Sequence, residues 1–263
     1  MWLINLLETG NSTIAKSGKL FRIGGAVQRE GDPVPTSLGL QTPGDLTWGQ
    51  GRSGPNLYQD INDKGDAIVA LNVNNGSSQE IETVFLNDDL IFEEGFTCFD
   101  FGNNPFLTCE AQAKVANTPP AVAINNAGDW LLWLRFDDQD DDVELAVFNG
   151  EPLIGVEEDI DLDGDGQVDA GIAQIAQRPT ISQRNGDDTV DIFFRLRLCN
   201  PGVYDQNCDP GVFQVVVFTV EVDDGKKKKK KKKAVKGAFD FASLGFKLPD
   251  DLKDTFAGFD LKG

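Results

Sequence analysis

The chain has 263 residues, of which 40% are hydrophobic and 25% are charged, so it is long enough to bury a core in one or two domains. Its 24 basic residues are outnumbered by 43 acidic ones, and the net charge of −19 argues against nucleic-acid binding because an acidic surface repels phosphate. The absence of histidine excludes Ser-His-Asp catalysis and histidine metal sites. No stretch reaches the roughly 20 apolar residues that cross a bilayer, so we expect no membrane-spanning segment.

The composition changes near Gly225. Residues 1–225 carry 12 basic and 38 acidic side chains, whereas eight consecutive lysines occupy positions 226–233. A block of like charges repels itself and stays extended. We therefore predict an acidic β-repeat domain over residues 1–225, a lysine linker over 226–233 and a phenylalanine-rich tail over 234–263. The Leu-Pro-Asp-Asp segment in the tail favours a short helix that docks on the body or on a partner.

An internal repeat runs through the acidic body. The segment INDKGDAIVALNV, from Ile61, matches INNAGDWLLWLRF, from Ile124, and VFLNDDLIFEEG matches VFNGEPLIGVEE at the same offset of 63 residues. Asn-x-x-Gly-Asp is typical of a tight turn, and the apolar segments that follow it are typical of strands. A match of this length without a gap indicates a true structural repeat.

The repeat divides the body into antiparallel units, the first partial and the last divergent, at about residues 13–35, 58–95, 121–158 and 178–222. Strands are expected at 67–73 and 130–136, with hairpin turns at Asn87 and Asn149. The segments 189–198 and 213–222 resemble the equivalent strands in the last unit. This all-β pattern favours propeller-like blades, and a β-sandwich built from the same hairpins is the alternative.

The repeats resemble those of secreted bacterial proteins with the pattern Asn-x-x-Gly-x-x-Ala-Phe, in which an Arg-Glu-Gly-Asp-x-Val-Pro segment precedes the next turn. INDKGDAIVALNV, INNAGDWLLWLRF and VQREGDPVP carry the resemblance, which covers residues 13–222. Ile68-Val69 and Leu131-Leu132 replace the Ala-Phe pair of the pattern. The resemblance implies an extracellular, propeller-like repeat protein without an established catalytic site.

The four cysteines fall into two close pairs, Cys98 with Cys109 and Cys199 with Cys208. Local pairing is the simplest of the three possible connectivities, and the alternative is four reduced thiols. The spacing does not fit paired C-x-x-C zinc knuckles. Disulfides indicate an oxidising compartment, so we expect an extracellular or cell-surface protein, although the segment MWLINLLETGN does not read as a secretory signal.

The segment DLDGDGQVD at 161–169 is the most specific motif. Alternating aspartates supply the oxygens that Ca²⁺ prefers, and Gly166 allows the sharp turn. The expected ligands are Asp161, Asp163, Asp165, the backbone carbonyl of Gln167, and Asp169. The twelfth position is Ile172 instead of an acid, which excludes an EF-hand. The segment resembles the calcium loops of the FG-GAP repeats in integrin α chains, which implies a position within a blade hairpin; an acidic loop without metal is the alternative.

Two other features have weaker implications. The acidic run at 137–142 has no glycine and is interpreted as a solvated hairpin loop, with weak cation binding as the alternative. Trp48, Trp130 and Trp133 are candidate sugar-stacking platforms, although aromatic residues usually serve core packing. The odd spacing of Trp130 and Trp133 places them on opposite faces of one strand.

These patterns together predict a non-catalytic, calcium-stabilised extracellular protein with a structural, adhesive or self-assembling role. Its expected partners are copies of itself, joined through basic tail and acidic body, or a cell-surface glycan or protein. A carbohydrate-binding module is the alternative. A glycosidase that uses two carboxylates is less favoured, because no particular pair of acids is singled out by the sequence.

Overall fold

The computed structural model describes residues 4–5, 19–23, 26–29, 31–49, 58–76, 80–99, 114–115, 120–138, 141–176, 179–205, 208 and 212–222. Regular structure in these residues consists of strands and one 3-10 turn at Thr36–Leu38. All strand pairs are antiparallel, so the all-β prediction is confirmed, and no sheet of described strands closes into a barrel. The lysine linker, the phenylalanine-rich tail and its expected helix lie outside the described residues.

The strands form four sheets, which we name N, A, B and C in chain order. Sheet N contains β1 (Ile4–Asn5), β2 (Lys19–Ile23) and β3 (Ala26–Arg29). Sheet A contains β4 (Thr47–Trp48), β5 (Tyr58–Ile61), β6 (Ala67–Asn74), β7 (Glu80–Leu86) and β8 (Asp89–Glu93). Sheet B contains β9 (Lys114–Val115), β10 (Ala121–Ile124), β11 (Trp130–Asp138), β12 (Asp141–Phe148) and β13 (Glu151–Gly155). Sheet C contains β14 (Asp159–Ile160), β15 (Ala170–Ile175), β16 (Thr180–Ile181), β17 (Thr189–Cys199) and β18 (Val212–Glu221).

Sheets A and B share one plan. In each, two short strands pair with successive parts of one edge of a long strand, and two further strands follow as hairpins on its other edge: β5 and β4 lie on β6, and β10 and β9 lie on β11. Sheet C repeats the edge arrangement with β16 and β15 on β17, followed by β18. In the acidic run at 137–142, Asp137 and Asp138 of β11 pair with Asp142 and Asp141 of β12, and residues 139–140 lie outside the described residues.

The register corrects the gapless alignment of the repeat. The long strands β6 and β11 correspond at an offset of 63, since Ala67 and Trp130 both donate their N–H to the asparagine of the following hairpin turn. Those asparagines are Asn87 and Asn149, which lie 62 residues apart. The gapless alignment is therefore wrong by one residue over β7–β8, because Leu86 lies 18 positions after its strand partner Ile68, whereas Phe148 lies 17 positions after its partner Leu131.

In sheets N, A and B, the residue two positions after the last strand has a positive φ. These residues are Gly31 (φ 82°), Gly95 (φ 80°) and Glu157 (φ 66°). Gly31 donates its N–H to the Trp48 carbonyl at 2.8 Å, and Glu157 donates in the same way to Ile172 at 2.9 Å. The hairpin of sheet N therefore ends like the complete units, and in the third case a glutamate, Glu157, takes the place of the glycine.

Alternating side chains bury both faces of sheets A and B. One face of A contributes Val69 and Leu71 to a core with Leu38 and Trp48. The other face packs on sheet B in a second core: Ile68, Ala70, Val84, Phe92, Leu132, Leu134 and Phe136. The remaining face of B packs on sheet C in a third core: Leu131, Trp133, Ala146, Ile172, Ile192 and Phe194. Sheets A, B and C thus stack in chain order, and mainly apolar side chains fill the interfaces between neighbours.

Candidate metal centre

The segment predicted to bind calcium, residues 161–169, forms the tip of a hairpin in sheet C. Strands β14 and β15 pair through Asp159 with Gly171 and through Ile160 with Ala170, so the nine residues 161–169 connect them. The N–H of Asp169 donates to the Ile160 carbonyl at 2.9 Å and closes the loop. The hairpin position follows from local sequence, because two short β segments flank a run of glycines and aspartates.

Three of the predicted ligands converge. Carboxylate oxygens of Asp161, Asp163 and Asp169 lie within 4.8 Å of one another, with Asp161 half-buried and the other two exposed. Asp165 lies outside this group: its two oxygens accept hydrogen bonds from the backbone N–H (2.7 Å) and side-chain amide (3.2 Å) of Gln167. The structure therefore brings together three of the five predicted ligands, and it places Asp165 and Gln167 against each other.

The backbone of the loop turns inward on Asp161. Gly164 and Gly166 donate their N–H groups to its carboxylate at 2.7 and 2.8 Å, and both glycines have positive φ, 78° and 90°. These backbone hydrogen bonds, chiefly the one from Gly166, lower the pKa of Asp161, and its burial opposes them only in part. The loop therefore keeps this carboxylate ionised, as a ligand for a hard cation must be.

The donor set is chemically selective. Carboxylate oxygens suit Ca²⁺ and Mg²⁺, whereas zinc and copper sites use nitrogen or sulfur ligands. Ca²⁺ takes six to eight oxygens, so three carboxylates would be completed by water or backbone carbonyls. An exposed, glycine-rich loop fits the flexible coordination of Ca²⁺ better than the strict octahedron of Mg²⁺.

A disulfide loop braces the base of this hairpin. Cys199 and Cys208 are bonded, as predicted, and the chain between them donates the Gly202 N–H to Asp159 at 2.9 Å. Tyr204 lies over Gly171 so closely that a β-carbon there would come within 3.0 Å of the ring. Desolvation raises the pKa of Tyr204, and its hydrogen bond to Asp159 adds to the effect. Cys98 is also disulfide-bonded, and Cys109, its expected partner, lies outside the described residues.

The Asn-x-x-Gly-Asp turns form a ladder between the units. Asn62 donates to the Asn125 carbonyl at 3.0 Å, and Asn125 donates in turn to the Ser182 carbonyl at 3.1 Å. Within each turn the asparagine side chain accepts N–H groups and donates to the aspartate four residues later. The ladder explains the repeated asparagine, because one side chain closes its own turn and bonds the neighbouring turn.

A third copy of the turn escaped the sequence comparison. Asn185 closes a turn on Thr189 with the same backbone hydrogen bond, 2.8 Å long, that closes the turns at Asn62 and Asn125. Asp188, with φ of 59°, takes the position of Gly65 and Gly128. Aspartate tolerates the left-handed region better than most residues, so the turn persists after the Gly that marks it in sequence is lost.

Other polar residues with structural roles were also missed. Glu93 is fully buried and accepts hydrogen bonds from the Gln41 and Thr42 N–H groups and from the Thr42 hydroxyl, which fastens residues 31–49 to sheet A. Arg184 forms a bidentate ion pair with buried Asp129 in the ladder. The sequence contained one indication of such roles, namely acidic residues inside β segments. Whether these residues are buried depends on the stacking of the sheets, which the sequence does not show.

The aromatic candidates for sugar stacking are core residues. Trp48 and Trp133 are 1% and 0% exposed, and half-buried Trp130 packs on the core between sheets A and B. Trp130 and Trp133 lie on opposite faces of β11, as their spacing predicts. The favoured interpretation, core packing, is therefore confirmed for Trp48 and Trp133, and the alternative of a sugar platform is wrong for these two residues.

No protein-family model matches this sequence, and comparisons with curated proteins and with solved structures give no significant match. Among the residues that the structure describes, no helix has the length and apolar character needed to cross a membrane.

Proposed function

We propose that this chain is a calcium-stabilised extracellular repeat protein with a structural or adhesive role and without catalysis. The convergence of Asp161, Asp163 and Asp169 within 4.8 Å carries the proposal. Three like charges at this separation repel one another, and a divalent cation between them converts the repulsion into attraction. The disulfide-braced base favours the same interpretation, because it holds the hairpin in place, and disulfides persist in oxidising compartments outside the cytosol.

We further propose that sheets A, B and C are successive blades of a propeller-like arrangement. A β-sandwich buries one face of each sheet, whereas sheets A and B are buried on both faces. Edge strands β5 and β10 of neighbouring sheets contact each other, and the turn ladder joins the units at the ends of these strands. Propellers place the inner strands of adjacent blades side by side around an axis, which supports this architecture.

Copies of the chain are the proposed partners. Residues 1–225 carry 38 acidic side chains and 12 basic ones, and the following eight lysines offer the opposite charge on the same molecule. Opposite charges on one chain favour a head-to-tail contact between copies. Size-exclusion chromatography with light scattering tests this: particles larger than a monomer at low salt that dissociate at high salt are expected, and a monomer under both conditions would contradict self-assembly.

Thermal unfolding of the oxidised protein tests the calcium proposal. Ca²⁺ at about 100 times its dissociation constant stabilises a single site by about 2.7 kcal/mol. For a domain of this size that corresponds to a rise in Tm of about 5–10 °C relative to EDTA. Equal concentrations of Mg²⁺ are expected to give a smaller rise, because Mg²⁺ dehydrates reluctantly and demands a stricter geometry.

Two variants and two controls identify the ligands. Asp161→Asn and Asp169→Asn are expected to remove the rise in Tm, because each deletes a converging carboxylate. Asp165→Asn distinguishes the five-ligand prediction from the three-carboxylate geometry, and the geometry predicts that most of the rise is retained. Glu151→Gln, at an exposed hairpin turn of sheet B, should respond to Ca²⁺ like the unaltered protein. Equal Tm values in Ca²⁺ and EDTA for the unaltered protein would refute the proposal.

A further inference from the structure

Two buried polar side chains lie opposite each other in sheet A. Asn72 on β6 pairs with Glu82 on β7, and they are 1% and 8% exposed. Side chains alternate between the two faces of a strand, so Asn72 lies on the same face of β6 as Ile68 and Ala70, and Glu82 lies on the same face of β7 as Val84. This is the face that packs on sheet B. This pair therefore sits at the junction between two units and is removed from the calcium loop.

Both side chains carry an atom without a partner. Among the described residues, Asn72 Oδ1 and Glu82 Oε2 have no hydrogen-bond partner. The orientation of the Asn72 amide follows from its nitrogen, which donates to Glu80 Oε2 at 3.1 Å, so its oxygen is the group left over. Two acceptors cannot bond each other, and buried polar atoms without partners are costly. Asn72 Oδ1 lies beside Gly49, which follows β4 on the edge of β6 opposite to Glu82. A proton on Glu82 therefore removes an unpaired buried charge without requiring a bond to Asn72.

The surroundings favour the protonated acid. Glu80 precedes Glu82 on the same face of β7, and a Glu94 oxygen accepts the Glu82 N–H at 3.0 Å. Burial, followed by the charges of Glu94 and Glu80, raises the pKa of Glu82 to about 8. No cation is needed to explain the geometry, since these three carboxylates do not form one of the convergent groups of described acids.

Sheet B adds mainly apolar groups to this junction. Leu134, Phe136 and Leu145 fill the core that it shares with sheet A. The next positions of the same alternation along β11 and β12 are Asp138 and Asp141, which pair with each other. In sheet B the described strand β9 contributes the basic residue Lys114, which pairs with Asp137 on β11.

The equivalent position in sheet B differs in charge. There Arg135 on β11 pairs with Glu144 on β12, and Glu144 accepts the N–H of Ile175 from sheet C. The carboxylate at this position therefore bonds across to the next sheet in unit B, with an arginine beside it. In sheet A an amide replaces the arginine, so an ionised Glu82 would lack that countercharge.

We propose that Glu82 is a neutral carboxylic acid, and that loss of its proton loosens the junction between sheets A and B. The folded state holds this proton more tightly than the unfolded chain does. Stability therefore falls as pH rises from the unfolded pKa of Glu, about 4.3, and levels off above the folded pKa. The junction is a pH-sensitive contact in which proton release at alkaline pH separates two repeat units.

Glu82→Gln tests the proposal because glutamine has nearly the size and shape of a protonated glutamic acid and does not ionise. Tm is measured from pH 5 to pH 9 for both proteins, with Glu151→Gln as the matched surface control. The unaltered protein and the control are expected to lose about 5–15 °C relative to Glu82→Gln over this range, as a raised folded pKa requires. Parallel profiles for all three proteins would overturn the proposal.

Infrared spectroscopy gives a second readout that does not depend on the stability of a variant. The unaltered protein in D₂O at pH 7 is expected to show the stretch of a protonated buried carboxyl, which disappears above pH 9 and is absent from Glu82→Gln. Absence of this band at pH 7 would refute the neutral acid. Stabilisation at pH 9 by Na⁺ or Ca²⁺ that Glu82→Gln alone abolishes would also overturn the proposal, in favour of a bound cation.

Discussion

The ion pair between Arg184 and Asp129 provides a quantitative test of the turn ladder. Two hydrogen bonds of 2.8 Å join the guanidinium to the two carboxylate oxygens. The Asp129 side chain is 3% exposed and that of Arg184 is 24% exposed. Asn125 and Asn149 also donate to Asp129, at 2.9 and 3.2 Å. Arg184→Gln therefore leaves a buried carboxylate with two amide donors and no countercharge.

The expected cost follows from burial. Removing one partner of a fully buried pair costs about 3–5 kcal/mol, and a hydrogen bond to a charged group contributes about 1.5–3 kcal/mol. Because Arg184 is partly exposed, solvent screening reduces the first figure, and we expect Arg184→Gln to lower the free energy of unfolding by about 2–3 kcal/mol. For a domain of this size Tm would fall by about 4–12 °C.

The pH dependence separates this ion pair from a simple packing effect. Burial alone would raise the pKa of Asp129, but the hydrogen bonds from Arg184 and the two asparagines, with the charge of Arg184, lower it below its usual value. A carboxyl whose folded pKa is depressed stabilises the protein above its unfolded pKa and loses this contribution as pH falls. The cost of Arg184→Gln should therefore be full at pH 7 and shrink toward pH 3.

Urea denaturation at pH 7 and at pH 3–4 measures these differences, provided that both proteins remain folded without denaturant at the lower pH. The matched control is Asp66→Asn in the equivalent turn of sheet A, where Asn62 and Asn87 donate to Asp66 at 2.9 and 3.4 Å. This control should cost less than about 1 kcal/mol, because Asp66 is only half-buried and solvent screens its charge. A cost for Arg184→Gln that equals the control, or that stays constant as Asp129 becomes protonated, would refute the reasoning.

Two further predictions concern packing around the proposed sites. Gly171→Ala places a β-carbon 2.7 Å from the Val203 carbonyl, and we expect this variant to lower Tm and to weaken the Ca²⁺ response of the neighbouring hairpin. Gly65→Ala is the control for backbone strain, because φ at Gly65 is +87° and nothing lies within 4 Å of the added β-carbon. An equal Ca²⁺ response in both variants would contradict a coupling between Gly171 and the hairpin. Phe136→Ala removes a fully buried ring from the core between sheets A and B. We expect it to lower the free energy of unfolding, measured by urea denaturation, by about 3–5 kcal/mol. A decrease below about 1 kcal/mol would mean that the two sheets are not packed as described.

Much of the fold could be predicted because strand signals are local. The strands expected at 67–73 and 189–198 are observed as Ala67–Asn74 and Thr189–Cys199. Alternation of side chains along β11 placed Trp130 and Trp133 on opposite faces before any contact was known. The one-residue change of offset was missed because the apolar residues of β7 and β12 match almost equally well in either register, and only the turn asparagines identify the correct one.

The candidate metal centre was predictable only in part. Alternation of aspartates identified the loop, but Asp165 and Gln167 bond each other, and that choice depends on how the backbone curls around Asp161. The asparagines of the ladder were assigned to turns because a turn is a local structure. Their second role, bonding the next unit, involves residues 57 to 63 positions away and leaves no local pattern.

The sequence by itself determined the all-β class, the turn positions, the acidic hairpin tip and the pairing of Cys199 with Cys208, because each depends on residues close together in the chain. Only the tertiary structure decided which faces are buried between sheets, which carboxylates lie within that interior and which partners they meet. Glu82, Glu93 and Glu144 look like ordinary acidic residues of β segments in the sequence. Stacking of the sheets removes them from water, and desolvation and long-range partners then set their hydrogen bonds and, for Glu82, its protonation.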